Sequence, residues 1–365
     1  MGRLIVHVAE IEIGKTGGMA RIAHHWQEAF ERKGDEFVHI GLRAAGRIAH
    51  RTMFPEAAYR TYQRLGRRAD VFLVHEPAAG SFVARGVPTF VFSHGIERRY
   101  AGLRVPADGP ASLPRRLRGL LAAPLWNLRK RSCDRGLRGA TAALLCNRED
   151  EAYAKSCYGL PPERIWLFRN GVNPVSMSPA TGMEEGCRIL FLGSWINRKG
   201  IASLGAAAAK LQQRGVSARW LLAGTGVDRD SVLARWPVEL REVTTVIPQF
   251  GEAEESGLYA SSDVFVLPSL FEGQPLALLQ AMASGLACVA SDCCGQRDLI
   301  QSGWNGWLHE PGNVDALAAV LETAATHPSL RRELGQRAKH AMEGRTWEVV
   351  SDEVADFVDS TLNRG

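Results

Sequence analysis

The chain has 365 residues, 45% of them hydrophobic and 23% charged, an ordinary globular composition that excludes a disordered or fibrous protein. One core rarely accommodates so long a chain, so two domains are the default. The formal net charge is only +5, so where the charge sits matters more than how much there is.

The seven cysteines are Cys133, Cys146, Cys157, Cys187, Cys288, Cys293 and Cys294. None forms a Cys-x-x-Cys pair, and the adjacent Cys293 and Cys294 are poorly spaced for zinc. They read as reduced, mostly buried thiols. No basic segment precedes a long apolar run, and no stretch of about 18 uncharged apolar residues occurs. The expectation is a cytoplasmic protein.

In chain order, short apolar runs alternate with helical patterns. Residues 4–9, 37–40, 71–74, 89–93 and 142–146 read as one series of strands. Residues 188–193, 218–223, 243–247, 263–267 and 287–291 read as a second. Continuous apolar runs suit buried parallel strands, and their alternation with helices implies right-handed crossovers in doubly wound sheets. Between the series, residues 173–186 are rich in Pro, Ser, Gly and Thr and read as a linker. The expected domains are therefore 1–172 and 187–345. A final helix over 346–365, with Val349, Val350, Val354, Phe357, Val358 and Leu362 forming an apolar face, is expected to pack back on the first domain. Ligands of such sheets bind beyond the carboxyl ends of the strands, and with two facing domains the natural site is the cleft between them.

The run Asp263-Val-Phe-Val-Leu-Pro-Ser-Leu-Phe-Glu-Gly-Gln-Pro275 reads as a strand, then a turn carrying Glu272. Pro275 suits the first helical position, and the helix should end at Gly285. Backbone amides at that helix start favour an anionic or hydroxyl-rich ligand. Gln280 lies two turns into the helix. The loop Phe191-Leu-Gly-Ser-Trp-Ile-Asn-Arg-Lys-Gly200 follows a strand and precedes a helix, a phosphate-binding arrangement in which Arg198 and Lys199 are the cations. Gly17 and Gly18 follow the first strand, and Gly224 ends another.

These segments resemble the retaining glycosyltransferase family 4, which has the two-domain GT-B fold. The resemblance rests on Ser269-Leu-Phe-Glu-Gly273, Ala281-Met-Ala-Ser-Gly285, Val289-Ala-Ser-Asp292 and Asn305-Gly306. It implies an α/β, GT-B chain of two Rossmann-like domains that transfers a sugar from a nucleotide diphosphate sugar, with no cofactor and no obligatory metal. It further implies that Glu272, His94 and Lys199 are the catalytic set. Gly17, Gly18, Arg198, Lys199, Gly224, Glu272, Gly273, Gln274, Pro275 and Gln280 would then contact the donor, with His94 orienting the sugar's hydroxyls. The family's Asn-Gly-Val turn is matched at Asn170-Gly-Val172, read as hinge structure.

Three positions depart from the family. Gln280 stands where an acidic residue usually meets the nucleotide ribose, so a charge is missing. Ser194 stands where an Arg usually clamps the diphosphate, and Ala287 where proline is common. Asp228-Arg-Asp230 matches a metal motif of a different glycosyltransferase fold, but its place at a helix start makes it a cap, and no metal site is expected.

Between residues 98 and 138 lie eleven basic residues (Arg98, Arg99, Arg104, Arg115, Arg116, Arg118, Arg129, Lys130, Arg131, Arg135 and Arg138) against Asp108 and Asp134. With Trp126 and several leucines interleaved, 113–138 reads either as a membrane-surface helix or as a solvated helix packed on its own domain. Peripheral attachment at the inner face of the cytoplasmic membrane would suit a lipid-linked acceptor; a free glycan is the other acceptor class. Nucleic acid fits poorly, because no reading module accompanies the charge. Competing functions are a nucleotide-sugar-binding protein with little catalysis, a sugar-nucleotide epimerase, and a phosphorylase, for which no lysine motif is evident.

Overall fold

The structure is a computed structural model that describes residues 2–103, 113–175 and 186–364, with the backbone alone for 113–123. Much of the expected linker, residues 176–185, lies outside this range, as do Arg104 and Asp108 and the side chains of Arg115, Arg116 and Arg118.

The chain forms two compact units. The first ends at Asn170 and takes the chain up again at Trp347; the second is Gly171–Thr346. The first contains a parallel sheet of β1 (Leu4–Val8), β2 (Glu36–Ile40), β3 (Val71–His75), β4 (Thr89–Phe92), β5 (Ala142–Leu145) and β6 (Ile165–Leu167), in the order β2-β1-β3-β4-β5-β6. The second contains β7 (Cys187–Leu192), β8 (Ala218–Ala223), β9 (Thr244–Ile247), β10 (Val264–Leu267), β11 (Ala287–Ser291) and β12 (Trp307–His309), also parallel, in the order β12-β11-β10-β7-β8-β9. The short edge strands β6 and β12 were not expected from the sequence; the other ten were.

The apolar runs are continuous because both sheet faces are covered. In β10, Val264 and Val266 enter one core with Ile189, Phe191 and Val289, while Phe265 and Leu267 enter another with Leu190, Cys288 and Ala290. All four β10 side chains are fully buried. A buried residue of this size contributes roughly 1.5–3 kcal/mol relative to exposure.

The helix Trp347–Leu362 packs on the helix Gly18–Arg32 within the first unit. Val350, Val354, Ala355 and Val358 are buried, and the Phe357 ring stacks on Trp166 at 4.9 Å. Lys33 reaches Asp356 and Asp359, and Arg32 reaches Asp352. These ion pairs are largely exposed, so the apolar stripe supplies most of the stability.

Sheet order locates the site in the second unit. From β7 the chain first builds outward through β8 and β9, then returns to the other side as β10, β11 and β12. The loops after β7 and β10 therefore diverge at a topological switch point, where doubly wound sheets open a crevice.

Candidate active site

Glu272 lies on the turn after β10 and is 8% exposed. Its Oε1 is 2.6 Å from Lys199 Nζ and 3.3 Å from an Arg198 terminal nitrogen, both on the loop after β7. The same Arg198 nitrogen donates to the Phe271 carbonyl at 2.7 Å. The switch point thus brings together one carboxylate and two cations far apart in sequence. Burial works against the charged form of Glu272, but Lys199 and Arg198 outweigh it and hold the carboxyl below its ordinary range. Glu272 is ionised at neutral pH.

Glycines make this approach possible. Gly200 has φ +72°, and a Cβ there would lie 1.9 Å from the Pro268 carbonyl oxygen. The Leu270 amide donates to the Arg198 carbonyl at 2.8 Å, locking the two loops in register. A third loop closes the other side, where a Cβ on Gly295 would lie 1.8 Å from the Gly273 carbonyl oxygen. Gly295→Ala must push the Glu272 turn aside at an overpacking cost of about 1–3 kcal/mol. A displacement near 1 Å would lower kcat/KM about 100-fold. Steady-state kinetics beside a melting curve check this, and an unchanged kcat/KM in the Gly295→Ala variant would show that the turn's position is not critical.

That the third loop, Asp292-Cys-Cys-Gly295, meets the Glu272 turn was not expected from the sequence. Cys294 adopts φ +49°, a left-handed backbone that is unfavourable for a residue with a Cβ. Cys293, only partly buried, points its thiol at the Ser269 and Leu270 carbonyls. A glycine at the start of a short helix just after a strand was the available signal.

Gly224 ends β8 with φ +65°, and its amide donates to the Ile247 carbonyl at 2.8 Å. Gly193 donates to the Ala223 carbonyl at 2.9 Å, and Trp195 to Thr225 at 2.8 Å. The loops after β7, β8 and β9 are thereby laddered side by side.

Pro275 differs from expectation. It is the N-cap of the helix Leu276–Ala283 rather than its first residue, because ψ of 116° keeps it extended. Gln274 accepts from Arg345 at 2.8 Å. Gln280, 7% exposed, has a partner that the sequence did not suggest. Its Oε1 accepts from the Asn173 amide at 2.8 Å and its Nε2 donates to the Asn173 carbonyl at 3.3 Å. A carboxylate could not make the second bond. Asn173 follows Val172, which is bridged to Thr346, so Gln280 fastens the helix to the segments where the chain enters and leaves this unit.

Asp263 belongs to the other end of β10. It receives the Arg188 backbone amide at 2.9 Å and its guanidinium at 3.0 Å, and is a structural ion pair. Asp228 caps its helix through the Ser231 amide at 2.9 Å. Among the described residues, the group with metal-ligating geometry is His24, His25 and Glu28, and it includes neither Asp228 nor Asp230.

In the first unit, Gly17 has φ +82° and caps the helix Gly18–Arg32, with open space beside both glycines. His94 follows β4 against Phe92, Phe168 and His75. Burial pushes its imidazole down to about 4, so it is neutral at pH 7.

The basic segment is less available than its composition implied. Arg98 pairs with Asp134 at 2.5 Å, Arg99 with Glu149 and Asp150, and Arg129 with Glu10 at 2.6 Å and Glu97 at 2.7 Å. A local charge count misses acids brought in by the fold. Trp126 and Leu128, on the helix Leu113–Gly139, are half exposed. Among the described residues, no helix is long and apolar enough to cross a membrane.

A carboxylate and two cations thus meet at the switch point of a parallel α/β unit, and comparison with known proteins gives the family. Residues 16–175 match the family model described as Glycosyltransferase Family 4, and residues 186–327 match that described as Glycosyl transferases group 1. The amylovoran biosynthesis glycosyltransferase AmsK of Erwinia amylovora is 30% identical over 69% of this chain and 60% of its own length. The phosphatidyl-myo-inositol mannosyltransferase of Mycolicibacterium smegmatis is 31% identical over 54% of this chain and 52% of its own. The matched regions thus span about half to 60% of these relatives. In fold, sucrose-phosphate synthase from Thermosynechococcus elongatus superposes with a TM-score of 0.79 at 17% identity, covering 100% of both chains. WaaG, a glycosyltransferase involved in lipopolysaccharide biosynthesis, does so at 0.72 and 15%, covering 97% of this chain and 99% of its own. The chain belongs to glycosyltransferase family 4 and has the GT-B fold.

Proposed function

We propose that the protein is a retaining glycosyltransferase that moves a sugar from a nucleotide diphosphate sugar to a glycan or lipid-linked acceptor in cell-surface polysaccharide or glycolipid synthesis. The observation that carries this reading is Glu272, held ionised between Lys199 and Arg198 at the switch point of the second unit. When a diphosphate enters, the two cations can turn from Glu272 to the phosphates and neutralise the charge that builds as the glycosidic bond breaks. The freed carboxylate can accept hydrogen bonds from the sugar's hydroxyls and favour a developing positive charge on the ring. This exchange of partners supplies the electrostatics without a metal or other cofactor.

The ribose falls to Gln280. Its Oε1 already serves Asn173 but has a second lone pair, so it can accept a ribose hydroxyl without releasing the backbone. Backbone at Gly224, Gly273, Gln274 and Pro275 would line the rest of the donor. Gly17, Gly18 and the neutral His94 belong to the first unit. The AmsK relative's role in amylovoran biosynthesis supports a polysaccharide setting. The test is incubation with nucleotide sugars and a glycan acceptor, with the product's anomeric configuration read by NMR. A retained configuration is expected; inversion, or interconversion of donor sugars with no acceptor, would refute it.

We also propose that the helix Leu113–Gly139 rests on an anionic membrane surface through Trp126 and Leu128, in keeping with a lipid-linked acceptor. Binding is expected to be modest, because Arg98, Arg99 and Arg129 are committed to acids. Co-sedimentation with anionic vesicles at physiological salt should retain the protein and lose it in the Trp126→Ala variant; no retention of the wild type would sink the idea.

A further inference from the structure

We propose that the helix Gly18–Arg32 carries a site for a divalent transition metal, built from His24, His25 and Glu28 in the first unit. Glu28 lies one turn beyond the histidines, so all three side chains emerge on neighbouring parts of one helix. Its carboxylate serves both rings: His24 Nε2 is 3.4 Å from one oxygen and His25 Nδ1 is 2.9 Å from the other. The three donor atoms lie within 4.8 Å of one another. A bound ion needs only small rotations to draw them to coordination distance.

The site has some of its order built in. The His25 ring lies flat on Trp347, centroids 4.6 Å apart and planes at 14°, which fixes its orientation. Both histidines are about three-quarters buried, with side-chain exposures of 20% and 23%, against 44% for Glu28. Two imidazoles and one carboxylate form a borderline donor set that favours Zn2+, Co2+, Ni2+ or Cu2+ over Mg2+ or Ca2+. Three protein ligands leave a position for water. One feature limits the affinity: Arg21, one turn earlier, contributes a positive charge. Micromolar binding is the expectation. A metal held here would brace the helix after Gly17 and Gly18 against Trp347. It is a structural site, separate from the transfer chemistry assigned to the second unit.

The test uses the tag-free full-length protein. Zn2+ is titrated by calorimetry, and Co2+ by its visible absorption. One equivalent is expected, with binding weakened about 10-fold or more in each of His24→Ala and Glu28→Gln, both of which keep the His25 ring that stacks on Trp347. Far-ultraviolet circular dichroism controls for folding. No heat from wild type at millimolar Zn2+, or equal Zn2+ affinity in wild type and both folded variants, overturns the proposal.

Discussion

Glu272→Gln is expected to lower kcat for sugar transfer by about 1,000-fold while leaving nucleotide diphosphate binding intact or tighter. The asymmetry follows from the partners of Glu272. In the free protein its carboxylate occupies Lys199 and Arg198. On the proposed function, a donor diphosphate displaces it from them, so the carboxylate would compete with the ligand in the ground state and help only once the sugar is in place. Glutamine removes the competitor with little change of volume. Breaking the pair costs stability, about 3 kcal/mol, because two cations are left without their buried counter-ion. Added nucleotide diphosphate should restore much of the lost melting temperature by binding the folded state. Single-turnover kinetics and calorimetry on the same preparation separate these effects. A fully active Glu272→Gln variant would remove the residue from the mechanism.

Lys199→Met should be equally damaging to transfer, by about 100- to 1,000-fold, but with the opposite effect on nucleotide affinity. The methionine keeps the stem packed beside Gly193 and removes the charge. Diphosphate binding loses a charge-assisted contact worth about 1.5–3 kcal/mol, or roughly 10-fold or more in affinity. Glu272 also loses its nearest cation, with only Arg198 left at 3.3 Å. Burial, the largest influence on that carboxyl, then raises its pKa. On the proposed role, in which Glu272 works ionised, the acidic limb of the kcat/KM profile should move to higher pH. Tighter nucleotide binding in Glu272→Gln and weaker binding in Lys199→Met would be hard to produce by general loosening of the fold. If both variants weaken nucleotide binding alike, the competition between carboxylate and diphosphate is wrong.

Much of this was legible in the sequence, for identifiable reasons. Strands buried on both faces leave continuous apolar runs, and ten of twelve strands announced themselves that way. The two that did not, β6 and β12, have three residues each and sit at sheet edges, where one side lacks a neighbour and the apolar run shortens. Glu272 was legible because its turn and helix are contiguous in the chain. Its environment was not. The Lys199 pair depends on β7 and β10 lying side by side, a fact of sheet order rather than local pattern. The same holds for the close approach of Gly295 to Gly273 and for the acids that neutralise Arg99 and Arg129.

Gln280 shows a subtler limit. Its departure from the family's acidic residue reads, on sequence alone, as a missing charge at the ribose. The fold gives it work that only an amide can do, accepting from and donating to the Asn173 backbone at once. The amide thus joins this helix to the entering chain through a pair of bonds that a carboxylate could not complete.

The central claim is that Glu272 and Lys199 form the heart of a nucleotide diphosphate sugar site. Its most direct test is a thermal-shift screen of wild type and Lys199→Met with UDP, GDP and ADP sugars. One base should raise the wild-type melting temperature in a concentration-dependent way, and the shift should be largely lost without Lys199. No shift with any of them, or one undiminished in Lys199→Met, would contradict it.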